Sequence, residues 1–112
     1  MVDLEALDFY RDERNRPAIF EREKSKCFYC RHILTDGDYG LDHVQPQIHN
    51  GTNSCRNVVA ACHSCNSSKG DVAATNHVRN LYRLGFLTEP ELEERLAELD
   101  KLSQGLLPPI VP

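Results

Sequence analysis

Two cysteine pairs constrain this chain more than any other feature of its sequence. Cys27-Phe28-Tyr29-Cys30 and Cys62-His63-Ser64-Cys65 are both C-x-x-C, a spacing that lets a turning backbone present two thiolates to one tetrahedral ion. Four thiolates close the coordination shell and leave no position for water, so zinc held by Cys27, Cys30, Cys62 and Cys65 is expected to be structural. The 31 residues between the pairs exceed the roughly 15–20 of common zinc loops, so the clamp must enclose a sizeable insertion. Cys55 has no such neighbour and is expected as a free thiol. An odd number of cysteines, five in all, also argues against a disulfide framework.

A clamp suits the composition. At 112 residues the chain is expected to form one small domain, 1–112, with a core over 18–83 and helical flanks over 1–17 and 84–112. Hydrophobic residues reach only 40% and tryptophan is absent, so the core should be thin and in need of a staple. No apolar run approaches the roughly 18 residues of a membrane span. The start, Met-Val-Asp-Leu-Glu, lacks the basic-then-apolar pattern of a secretory leader, so a cytoplasmic protein without membrane contact is expected.

A net charge of -4 taken alone opposes a nucleic-acid partner, but the charge is unevenly spread. Residues 22–83 carry eight basic and five acidic side chains, a net +3, whereas 1–21 carry -3 and 84–112 carry -4. The zinc thiolate site would lower the +3 by 2 and a second divalent ion would restore it. The middle of the chain is therefore mildly basic, so any affinity for nucleic acid is expected to be weak and salt-sensitive.

The pattern predicts a helix from about Leu4 that breaks before Pro17, and a short helix near Ala18–Lys24. Strands are expected over Tyr39–Val44 and Val58–Ala61. A helical pattern then starts at Asn66, with Val72, Val78, Leu81 and Tyr82 as its buried positions. A last helix opens on a Thr88/Glu91 capping box, buries Leu92, Leu96, Leu99 and Leu102, and ends at Gly105. Its acidic outer face reads as a solvated surface, the other reading being a module that recruits partners.

Chemistry concentrates in the insertion. At strand spacing Asp42 and His43 point to opposite faces, so one can bind a hard cation while the other takes a proton from water. Asn66, directly after the last cysteine, offers a carbonyl oxygen as a second ligand for Mg²⁺ or Mn²⁺.

The ordered set C-x-x-C, Asp42-His43-Val44-Gln45-Pro46, Asn57-Val58-Val59 and Cys62-x-x-Cys65-Asn66-x-x-Lys69 resembles the HNH endonucleases from about Ala18 to Asp71. The resemblance implies an α+β fold: a ββα-metal (His-Me finger) module clamped by the four-cysteine zinc and flanked by helices. It further implies Asp42 as metal-binding acid, His43 as general base, Asn57 as the brace of the inter-strand loop, Asn66 as second ligand of a catalytic Mg²⁺ or Mn²⁺, and Lys69 as a phosphate contact. His49, in the connecting loop, is a further candidate for phosphate. His32, His63 and His77 read as structural or surface residues. Arg31 and Asn50 stand in turns where relatives carry glycine, which Asn50 tolerates because Asn accepts positive φ. The expected activity is metal-dependent hydrolysis of DNA phosphodiesters, nicking one strand per site with little sequence preference, by a monomer or weak homodimer. The alternative is a zinc-stabilised nucleic-acid-binding module without catalysis.

Overall fold

The computed structural model describes residues 3–111. Its centre is an antiparallel hairpin, β1 (Gly40–His43) and β2 (Val58–Ala61), registered from Gly40 opposite Ala61 to His43 opposite Val58. Helix α2 (His63–Lys69) follows directly, completing a ββα unit. All four residues of β2 are fully buried, as expected of a short apolar run covered on both faces. The free edge of β2 is covered by a buried ion pair. Glu23 accepts the Ala60 N–H (3.1 Å), and Arg22 donates to the carbonyls of Cys55 and Val58 (both 2.7 Å) while pairing with Glu23. Backbone groups that a two-stranded sheet leaves open are thereby satisfied.

The helix expected from Asn66 starts three residues earlier and is split. Cys62 caps α2 with its sulfur accepting the Cys65 N–H at 3.4 Å. Gly70, at φ +54°, then ends it, and α3 (Ala74–Arg83) begins a new phase. Its buried stripe is Ala74, His77, Val78 and Leu81, spaced i, i+3, i+4, i+7. Val78 and Leu81 are buried as expected, but Val72 falls in the bend and Tyr82 outside the stripe, and both are exposed.

The helix expected from Leu4 is also absent. Leu4–Ala6 and Glu13–Asn15 are single 3-10 turns, and the short helix expected near Ala18–Lys24 is α1 (Arg16–Arg22), which starts two residues earlier and takes in Pro17. Asp3, Asp8 and Asp12 each accept backbone N–H groups two or three residues downstream, a local competition that favours turns over helix. Pro17 sits in the first turn of α1, where no N–H is needed.

Both flanks are built into the core. Phe9, Ile19, Tyr29, Val58, Val59, Val78 and Leu102 are its best-buried large side chains. Helix α4 (Glu89–Ser103) opens on the Thr88/Glu91 capping box, buries Leu99 and Leu102, and ends before Gly105 at φ +77°. Its acidic face is not all solvated: Glu98 and Glu94 reach Arg31, and buried Arg95 donates to the Tyr29 carbonyl (2.9 Å). These bonds tie α4 to the first cysteine turn. Arg31 itself takes φ +64° and Asn50 φ +67°, the left-handed conformation that glycine adopts freely.

Candidate active site

The two cysteine turns converge. Phe28 N–H donates to Ala60 O (2.9 Å), docking the first turn on β2, whose end leads into the second. The four sulfurs lie within 4.8 Å of one another, with Cys30 and Cys62 at 3.7 Å. A tetrahedron with Zn–S near 2.3 Å requires sulfurs about 3.8 Å apart, so the donor set fits zinc. Crowding sets the electrostatics. Bonds from Cys30 and Cys65 hold the Cys27 thiol far below its usual range, and the anion so formed pushes Cys65 far up and Cys30 up to about 11. Four thiolates coexist here only around a cation.

A separate cleft of about 440 Å³ is lined by Tyr10, Asp42, His43, Asn66, Lys69 and Asp71 among others. Strand β1 supplies Asp42 and His43. Helix α2 supplies Asn66 and Lys69, three residues apart and so on one face. Gly40 makes the approach of α2 possible: a Cβ there would stand 2.6 Å from the Asn66 amide nitrogen.

Asp42 and His43 are both buried, with partners on opposite sides of the strand. The Tyr29 hydroxyl donates to Asp42 Oδ2 at 2.5 Å, and the Lys69 ammonium lies 3.3 Å from the same oxygen. No described residue bonds Oδ1, which leaves one hard oxygen unengaged on a residue that lines the cleft together with Asn66. His43 stacks on Tyr10, with centroids 4.1 Å apart, and its Nε2 lies 2.8 Å from Asn53 Oδ1.

Two expected sites take different positions. Lys69 does not reach outward for phosphate: its side chain is 1% exposed and donates to the His43 carbonyl (2.8 Å). Because β1 packs over that face of α2, the ammonium is spent on Asp42 and the strand. His49 is exposed on the connecting loop and does not line the cleft. Asn57 lies outside the cleft as well. Its amide accepts Gln45 N–H (2.8 Å) and donates to Gln45 O (3.0 Å) and Thr52 O (2.8 Å), drawing the loop closed. Gly51 allows that closure, since a Cβ there would fall 1.6 Å from Gln45 O.

The family model for HNH endonuclease matches residues 27–81. This segment, just under half of the chain, is similar to the HNH endonucleases. The HNH segment contains both cysteine pairs, the hairpin, α2 and most of α3. Fifty-two residues are 40% identical to the CRISPR-associated endonuclease Cas9 of Corynebacterium diphtheriae, a match covering 46% of this chain and 5% of that protein's length. Asp8 and Tyr10 lie outside the HNH segment yet reach its histidine and loop. Sequence reading passed over them, and over Tyr29, Asn53 and Asp71. The nearest signal was the Asp-rich N-terminal run, which marks turns that hold backbone in place.

Proposed function

We propose that this protein is a divalent-metal-dependent DNA endonuclease that hydrolyses phosphodiester bonds, nicking one strand per site with little sequence preference. The observation that carries the reading is the convergence of Asp42, His43 and Asn66 in one cleft within the HNH segment. Asp42 Oδ1 and the Asn66 amide oxygen are the ligands for Mg²⁺ or Mn²⁺, which when bound supplies positive charge to the phosphate and the leaving oxygen. His43 takes a proton from water, and the hydroxide attacks phosphorus as the 3′- or 5′-oxygen departs. Lys69 and Tyr29 fix the carboxylate, and Asn57 holds the loop that follows the histidine. The cysteine zinc maintains the frame and takes no part in the reaction.

DNA is the proposed partner. Among the described residues no helix is long and apolar enough to cross a membrane. Incubation of supercoiled plasmid with protein and Mn²⁺ or Mg²⁺ tests the reading. Conversion to the open circle, blocked by EDTA, is expected, and a protein that shifts the DNA while leaving it supercoiled is a binding module instead.

A further inference from the structure

The imidazole of His43 is held by residues from two other parts of the chain. Its Nε2 faces Asn53 Oδ1 at 2.8 Å, and the Asn53 amide nitrogen donates to Asp8 Oδ2 at 3.0 Å. A carboxylate only accepts, so Asp8 turns the NH₂ of Asn53 toward itself and the oxygen toward His43. Gln47 Nε2 donates to the same oxygen at 3.3 Å, which fits that assignment. The only role left to His43 Nε2 is donor. Nδ1, which no described residue bonds, then carries the lone pair.

Asp8 is well placed to do this. Its other oxygen accepts the N–H groups of Arg11 (2.7 Å) and Tyr10 (2.9 Å). Bonding from Arg11 above all, with help from Asn53 and Tyr10, keeps the carboxyl below its usual range. The segment is anchored on both sides of Asp8. Phe9 is fully buried and donates its N–H to Asn53 O (3.0 Å), and Glu5 accepts from Ser54 and Arg56. Tyr10 stacks on the imidazole within 24° of parallel.

We propose that Asp8, acting through Asn53, is a positioning residue that fixes His43 as the Nε2–H tautomer, with Nδ1 as the proton acceptor and Tyr10 setting the ring plane. The N-terminal segment is thus part of the active site, although it lies outside the HNH segment. This rests on His43 being the base, so the test reads the tautomer separately from cleavage.

The discriminating variant is Asp8→Asn, which retains the acceptor for the Tyr10 and Arg11 N–H groups but can also donate, so that it no longer dictates the orientation of Asn53. Nitrogen-15 and carbon-13 NMR of His43 at a pH where the ring is neutral should show a single Nε2–H form in the wild type and a mixture in Asp8→Asn, with kcat for nicking reduced about tenfold or more and KM little changed. Asn53→Ala should give the same mixture. A wild-type ring protonated at Nδ1, or an unchanged spectrum in Asp8→Asn, overturns the inference. If the spectra behave as stated but His43→Ala still nicks, the positioning stands and the base assignment falls.

Discussion

The hydroxyl of Tyr29, which sits inside the first cysteine turn next to Cys30, donates to Asp42 Oδ2 at 2.5 Å. The four-cysteine cluster and the cleft are therefore joined through one side chain: Cys27 and Cys30 bracket the turn, Arg95 holds the Tyr29 carbonyl from α4, and the buried ring reaches β1. Burial, reinforced by the Asp42 charge, pushes the phenol up, so it remains a donor at every working pH.

Replacing Tyr29 with Phe keeps the ring in the core and removes only the donor. The variant should fold, hold its zinc, and bind Mn²⁺ about tenfold more weakly, as losses around a ligating carboxylate do. Titration of Mn²⁺ followed by electron paramagnetic resonance checks this, and an unchanged affinity would separate Tyr29 from the site.

Zinc itself should be present at one ion per chain. A Cys62→Ser variant loses a ligand and the sulfur that caps α2, and should show no cooperative thermal transition. Metal analysis and circular dichroism decide the point, and a variant that melts like the wild type would remove the clamp from the account.

His77 offers a pH test. It is buried, its Nε2 has no hydrogen-bond partner among the described residues, and burial followed by the nearby Lys69 charge holds its pKa below 6.5. Between the folded and unfolded pKa values the unfolded chain binds the proton that the folded chain refuses, so this stability is present above pH 6.5 and is lost as pH falls below it. Urea denaturation of His77→Phe should match or exceed the wild type at pH 7.5 and gain on it steadily toward pH 5.5. Parallel curves would show that His77 does not titrate in this window.

Sequence and structure agree where the information is local. C-x-x-C spacing, the Asp42-His43 pair and Asn66 beside Cys65 are each read from neighbouring residues, and the ββα unit sets Asp42, His43 and Asn66 along one cleft. Disagreement arises where a residue's role depends on distant chain. Lys69 reads as a phosphate contact until β1 covers it, and Asp8 reads as a turn former until Asn53, 45 residues away, is seen beside it. The Arg22-Glu23 pair counts as two cancelling charges in the sequence, yet it covers the edge of β2. At the N-terminus the apolar spacing suggested helix, but three aspartates bonding their own backbone decided otherwise.

The central claim is that His43 activates water in the Asp42–Asn66 cleft. The most direct measurement is the initial rate of supercoiled plasmid nicking in Mn²⁺ by the wild type and by His43→Ala, with circular dichroism and zinc content compared in parallel. Wild-type protein should nick at a rate proportional to enzyme concentration, and His43→Ala, folded and zinc-loaded, should leave the plasmid supercoiled. Nicking by His43→Ala at the wild-type rate would contradict the account.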